Sequence, residues 1–208
     1  MKITKYIHSC LLIKEANKAI LIDPGNYTAE ANVLDISNIE SLDYLLVTHE
    51  HQDHMYIPLI KKIIAKFPNL NILSNQSVKT LLGKEGVNVS TDSDDFIQME
   101  SIPHEKVFGS EPPINTLFNI NNIFSHPGDS FSFNSTNKVL ALPVQAPWGS
   151  LTQAVDLAVS LGPEIIIPIH DWHWNESAKE SFYKRLEKYF TNEEIKFISL
   201  QTGIEVEI

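Results

Sequence analysis

Seven residues constrain this chain more than any others: Thr48-His49-Glu50-His51-Gln52-Asp53-His54, directly after the apolar stretch Tyr44–Val47. A run this short and this apolar reads as a buried strand, so three histidines and an aspartate gather where such a strand ends. At the chain's own His and Asp frequencies, a His-x-His-x-Asp-His string would arise by accident in roughly one chain in 2,000. Alternate residues of an extended segment point the same way, so His49 and His51 can share one ion. Asp53 and His54 lie where the chain bends toward the next helix and can face a second ion a few ångströms off. Neutral imidazoles with a carboxylate are the donors zinc prefers, and manganese or iron can use the same set. The alternative, a solvated polar loop, gives no reason to concentrate such residues.

Around the motif the periodicity switches repeatedly between two and 3.6. Strands are predicted at Ile3–Ile7, Leu11–Ile13 and Ala19–Ile22, the last running into the turn Asp23-Pro24-Gly25. Ile57, Ile60, Ile63, Ile64 and Phe67 recur at helical spacing until Pro68-Asn69. A strand at Asn71–Leu73, a helix at Ser77–Leu82 and an extended Val87–Val89 follow, then strands Phe96–Ile102 and Asn115–Ile120. The second half repeats this grammar: strand Val139–Val144, helix Leu151–Leu161, strand Ile165–Ile169, amphipathic helix Ser177–Phe190, strand Lys196–Leu200 and a short terminal strand. Meander strands followed by strand–helix units in both halves predict an α/β (α+β) fold, two sheets face to face with helices outside. No linker or repeat interrupts residues 1–208, which are expected to form a single domain.

Three further candidate ligands occupy the same kind of position as His49, at or just past a strand end. His104 follows Phe96–Ile102 and Pro103, Asp129 sits in His126-Pro127-Gly128-Asp129, and His170 ends Ile165–Ile169. In layered α/β architectures that rim is where sites are built. Taken singly, each is more often a hydrogen-bonded or exposed residue; beside the quartet they matter, because His49 and His51 leave a tetrahedral ion short of donors. His126 competes with His104. His104 ranks ahead because a ligand should come from a different strand end than the one supplying Asp129.

Taken in order, these motifs resemble the metallo-β-lactamase-fold hydrolase superfamily. They are a strand running into Asp23-Pro24-Gly25, Thr48-His49-x-His51-x-Asp53-His54, His104, Pro127-Gly128-Asp129 and Pro168-Ile169-His170. His8-Ser9-Cys10 and Leu142-Pro143-Val144-Gln145-Ala146-Pro147-Trp148 are similar to stretches of the small bacterial hydrolases in the ascorbate-6-phosphate lactonase-like branch. The resemblance implies a four-layer αββα sandwich with a dinuclear site between the sheet edges. It implies that His49, His51 and His104 bind one ion, that Asp53, His54 and His170 bind a second, and that Asp129 bridges them with a water or hydroxide. Histidine rather than glutamate at position 51 departs from the flavodiiron relatives and argues for hydrolysis over oxygen reduction. His8 and His173 are expected around the ligands or in the pocket wall, and Asp23 and Thr48 could orient ligand imidazoles. Trp148, between a proline and a glycine, is either a platform for substrate or a core or hinge tryptophan.

Composition narrows the partners. Sixteen Lys and Arg against 26 Asp and Glu give a formal charge of −10, which repels phosphate backbones, so no nucleic-acid partner is expected. The single cysteine, Cys10, forbids an intrachain disulfide and fits a reducing compartment. No secretory leader is evident, and the longest apolar runs are far too short to span a bilayer. The expectation is a cytoplasmic protein with no membrane partner, compatible with a homo-oligomer and acting on a small molecule. Two divalent ions, zinc first and manganese or iron second, would activate a hydroxide against an ester-like bond, a phosphodiester or a lactone. The rival reading is a redox-active or sensory iron protein of the same fold, which metal content would separate from a hydrolase.

Overall fold

The computed structural model describes all 208 residues, Met1–Ile208. In the first half, β1 (Lys2–Lys5), β2 (Leu11–Glu15) and β3 (Lys18–Ile22) form an antiparallel meander, and β4 (Tyr44–Leu46) and β5 (Asn71–Leu73) add in parallel. Helices α1 (Asn26–Glu30), α2 (Ile57–Lys66) and α3 (Gln76–Gly83) connect them. The second half mirrors this order. β6 (Ile97–Pro103), β7 (Ile114–Ile120) and β8 (Phe124–His126) meander, and β9 (Val139–Pro143), β10 (Ile165–Ile169) and β11 (Lys196–Phe197) continue in parallel. Helices α4 (Leu151–Leu161) and α5 (Glu176–Asn192) bridge the parallel strands, and β12 (Glu205–Glu207) returns to pair with β1. Two six-stranded sheets result, ordered β12-β1-β2-β3-β4-β5 and β11-β10-β9-β8-β7-β6.

Strand alternation divides the apolar residues into three packed layers. Leu11, Ile13, Ile20, Ile22 and Leu46 face Phe118, Ile120, Phe124, Ala141, Ile167 and Ile169 between the sheets. Leu12, Leu21, Leu45 and Val47 point the other way and pack against Leu59, Ile60 and Ile63 of α2 and Val78 and Leu82 of α3. On the far side Leu140, Leu142 and Ile166 meet Ala154 and Ala158 of α4 and Leu186 and Phe190 of α5. Strands buried on both faces need apolar residues at every position, which is why Leu45–Val47 and Ile165–Ile167 read as unbroken runs. The expected four-layer αββα sandwich is what forms.

Local signals set the helix ends. Asn75 accepts from the backbone of Ser77 and Val78 to cap α3, Ser150 and Gln153 form a capping box on α4, and Gly162 closes α4 in the left-handed region at φ 62°. The sequence reading missed three elements. Alpha-helix α1 and a 3-10 turn at Ile36–Asn38 lack an apolar period, and β8 is Phe-Ser-His, whose polar residues mask a fully buried strand. Val87–Val89 forms no strand; only Ser90 bridges to Leu73. The strand expected over Lys196–Leu200 stops at Phe197.

One buried ion pair steers the chain toward the rim. Lys5 Nζ donates to the Pro168 carbonyl and to Asp171 Oδ2, both at 2.7 Å, and Tyr183 donates to the same carboxylate. The loop after β10, and His170 with it, is thereby tied to β1.

Candidate metal centre

Strand ends from both sheets meet at one rim. Asp23 follows β3, His49 follows β4, His104 follows β6, Asp129 lies three residues past β8 and His170 follows β10. Two glycines let the backbones close up. A Cβ on Gly25 would lie 1.8 Å from the Asp53 carbonyl oxygen, so only glycine allows α1 to begin against the motif loop. Gly128 has φ 58°, and a Cβ there would meet Asn115 Oδ1 at 2.3 Å and Thr48 Cβ at 2.8 Å. His8, Asp23 and His170 also adopt positive φ, at 63°, 48° and 62°. Such strain in non-glycine residues persists where surrounding structure over-determines it, and it concentrates at functional sites.

Eight side chains form two adjoining clusters, His49, His51, His104 and Asp129 on one side and His8, Asp53, His54 and His170 on the other. Within each, the potential ligand atoms lie within 4.8 Å of one another. Asp129 joins them. Its Oδ1 lies 3.0 Å from His54 Nε2 and 3.2 Å from His170 Nε2, and its Oδ2 lies 3.6 Å from His104 Nε2 and 4.0 Å from His49 Nε2. Each carboxylate oxygen faces one cluster. His49 Nε2 and His51 Nδ1 approach to 3.2 Å.

The ring orientations follow from acceptors behind them. His104 Nδ1 donates to the Glu105 carbonyl and His170 Nδ1 to the Gln145 carbonyl, both at 2.5 Å. A carbonyl can only accept, so in both rings the Nδ1 carries hydrogen and the Nε2 is the nitrogen that faces the centre. Asp23 is fully buried; it accepts from the Thr48 backbone and hydroxyl at 2.8 Å each and from His54 Nδ1 at 2.7 Å. With its hydrogen given to Asp23, the Thr48 hydroxyl accepts from His49 Nδ1 at 3.0 Å. Such outer partners orient ligand imidazoles in metal sites.

What remains unpaired makes the chemical case. His54 Nε2, His104 Nε2, His170 Nε2 and Asp129 Oδ1 are buried and have no hydrogen-bond partner. They converge without aligning on one another. A buried polar atom left unsatisfied costs about 1–3 kcal/mol, so converging ones call for a shared partner. Neutral imidazole nitrogens around carboxylates are the donor set for zinc, manganese or iron, and these residues fit divalent ions.

Charge states agree with that fit. Burial, reinforced by His54, keeps His49 neutral well below its ordinary 6.5, and burial likewise lowers His104. Burial alone would raise Asp129, but His170 and His54 hold it well below 3.8. His54 is the exception: burial opposes its charge, yet Asp129 and Asp23 raise it well above 6.5, so an ion there would have to displace a proton.

A pH dependence follows for the metal-free chain. His8, lowered to about 3 chiefly by burial, together with His49, His104 and His126, has a folded value below the unfolded 6.5. Between those values the unfolded chain binds more protons, so each such group's contribution is complete above pH 6.5 and lost as pH falls toward its folded value. His54 acts oppositely: its contribution is complete below 6.5 and lost as pH rises through its raised value. The His54 window lies above pH 6.5, so the four lowered groups set the slope below it, and the melting temperature of chelated protein should fall steadily from pH 7 to pH 4. A flat or rising profile would contradict these burial assignments.

The remaining sequence candidates fall into place individually. His126 is buried with both nitrogens engaged: Nε2 donates to the Ser9 carbonyl at 3.2 Å, and Nδ1 accepts from Gly128 N at 3.3 Å. It shapes the Pro127-Gly128-Asp129 turn and stands outside both clusters. Trp148 is half-buried and donates from Nε1 to Asp129 Oδ2 at 2.9 Å, so it braces the shared carboxylate. His173 is exposed, 3.4 Å from the Tyr27 hydroxyl, and Tyr27 stacks on Trp172 at 5.3 Å; Tyr27 and His173 flank His8. His8 itself enters the second cluster rather than a wall. Asn115, whose Nδ2 donates to the Pro127 carbonyl, and Asn75, whose Nδ2 donates to the Thr48 carbonyl, carried no sequence signal. His104→Ala should remove metal and nearly all activity, whereas His126→Ala should leave metal content unchanged by elemental analysis. The reverse result would exchange their roles.

The profile of the beta-lactamase superfamily domain matches residues 2–170. Protein Rv0786c of Mycobacterium tuberculosis is 26% identical over 209 residues, covering 93% of this chain and 94% of that protein. A UPF0173 metal-dependent hydrolase of Flavobacterium johnsoniae is 41% identical over 91 residues, 42% of this chain and 38% of its own length. Among solved structures, Igni18, a metallo hydrolase from the archaeon Ignicoccus hospitalis, superposes with a TM-score of 0.71 at 18% identity, covering 100% of this chain and 98% of that one. That last likeness is one of fold.

Proposed function

Because this chain belongs to the beta-lactamase superfamily, and because its two His/Asp clusters share one carboxylate, we propose that it is a metal-dependent hydrolase working with two divalent ions. The observation that carries the reading is Asp129, whose two oxygens each face a different cluster. His49, His51 and His104 would hold one ion and Asp53, His54 and His170 the other, with Asp129 between. The relative in Flavobacterium johnsoniae, itself called a metal-dependent hydrolase, supports the reaction class. Divalent ions bound there supply Lewis acidity, which brings the ionisation of water near neutral pH and polarises the oxygen of an electrophilic carbonyl or phosphoryl group.

The chain's own groups do the rest. Asp129, Asp23 and the carbonyls of Glu105 and Gln145 keep the imidazoles preorganised, so little reorganisation is needed during reaction. Asp53 is half-buried, and although burial would raise it, His54 and His8 hold its carboxyl below the usual range. Ionised at working pH, it can orient the nucleophile, accept the proton that the nucleophile releases and hand that same proton to the leaving group. His51 is exposed, which puts the open side of the centre at the first cluster. The substrate class we assign is a small ester-like molecule, a phosphodiester or lactone. No helix is long and apolar enough to cross a membrane.

The test pairs metal analysis of protein purified without chelator with turnover of bis-p-nitrophenyl phosphate, p-nitrophenyl acetate and simple lactones, zinc, manganese and iron each being supplied to the metal-free chain. About two ions per chain and turnover rising through neutral pH are expected. A single iron with visible absorbance, redox-linked spectral changes and no turnover would replace this reading with the redox one.

A further inference from the structure

The first ten residues contribute a donor that strand-end reasoning does not demand. His8 follows β1 in a tight turn at φ 63°, and its own carbonyl accepts from the His170 backbone N–H at 3.1 Å. The side chain is 1% exposed, and neither ring nitrogen has a hydrogen-bond partner. Among the site's histidines only His8 is left with both nitrogens unpaired. Its Nε2 lies 3.3 Å from Asp53 Oδ2, and its ring centroid is 3.8 Å from that of His170 and 5.4 Å from that of His54. Its potential ligand atom lies within 4.8 Å of those of Asp53, His54 and His170.

We propose that His8 is a protein ligand of the second ion, completing a set of His8, Asp53, His54 and His170; the proposal rests on the two-ion reading above. A packing role does not explain a strained backbone holding a buried imidazole with no partner, since an apolar ring would fill that space without unsatisfied nitrogens. A pure hydrogen-bonding role toward Asp53 is disfavoured because the 3.3 Å contact lacks hydrogen-bond alignment. With His8 included, the second ion has four dedicated protein donors plus a share of Asp129. The second ion is then the tightly held one, and exchange occurs first at the ion beside exposed His51.

Two variants test this: His8→Asn, because asparagine tolerates left-handed φ but cannot reach as far, and His8→Phe, which keeps a planar ring without a donor atom. Metal-free protein is titrated with cobalt(II) and zinc, following stoichiometry, stepwise affinity and the cobalt d–d spectrum, with thermal melting of chelated and loaded protein alongside. The expected result is that both variants weaken one of two binding steps more than about 10-fold, alter the cobalt spectrum and lose part of the metal-induced rise in melting temperature. The chelated His8→Asn variant should melt no lower than the chelated native chain. Wild-type protein with two sites, and variants with both affinities and the spectrum unchanged, would overturn the ligand role while leaving the two-ion reading intact. An unchanged spectrum together with a chelated His8→Asn variant that melts lower would assign His8 a structural role instead. Fewer than two sites in the wild type would overturn the two-ion reading and this inference with it.

Discussion

Replacing Asp129 with alanine should lower kcat/KM by at least about 10³-fold, the loss expected when preorganised electrostatic stabilisation by bound ions is removed. It should also cut metal content for both ions at once, because the two Asp129 oxygens face different clusters. Its Oδ1 approaches His54 and His170 and its Oδ2 approaches His49 and His104. Truncation would also leave the Trp148 indole N–H without its acceptor. Metal stoichiometry is the deciding measurement. If Asp129→Ala retained both ions at native affinity, the bridging assignment would be wrong even if activity fell. Asp53→Asn offers a contrast: a severe loss in kcat with a smaller change in KM, because nucleophile orientation is disturbed more than substrate contact.

Thorough chelation should destabilise the fold by several kcal/mol. An ion present at 1,000 times its Kd stabilises the native state by about 4 kcal/mol, which for a chain of this size corresponds to roughly 8–16 °C in melting temperature. The physical source is visible in the rim. Without ions, buried nitrogens of His54, His104 and His170 and an oxygen of Asp129 have no partner, and several imidazoles crowd within 4–5 Å of one another, as in the 4.1 Å approach of His49 to His54. Bound ions would satisfy these atoms, so their binding free energy would become folding free energy. Calorimetry of chelated and reconstituted protein checks it. An unchanged melting temperature would mean that the clusters do not bind metal, and the hydrolase reading would lose its foundation.

Much of this architecture is legible in the residues because burial imposes a period. Leu11 to Ile13 and Tyr44 to Val47 are too short for helices and read as strands in a sheet covered on both faces, and Ile57 to Phe67 presents its apolar stripe at helical spacing. Beta-strand β8 is illegible because its buried polar residues are satisfied by partners outside the strand, Ser125 by Asn119 on β7 and His126 by the remote Ser9. Those contacts depend on the sheet already existing.

The division at the site follows the same physics. Local spacing alone identified His49, His51, Asp53 and His54 as a concentrated donor set, because an extended segment and the bend after it control the directions of neighbouring side chains. Which remote residues join them is a matter of long-range packing. His104 and His126 are equivalent by residue type, yet one leaves its Nε2 bare and the other has both nitrogens occupied by backbone groups. Backbone carbonyls such as those of Glu105 and Gln145 set the ring orientations, and every residue has a carbonyl, so no sequence pattern announces them. His8 stands far from the motif along the chain and beside it in space, because β1 and β10 end together where His170 donates to its carbonyl. Residue chemistry therefore determined that this chain carries a metal-donor set on a layered α/β frame, and the meeting of the two sheets decided which donors face one another.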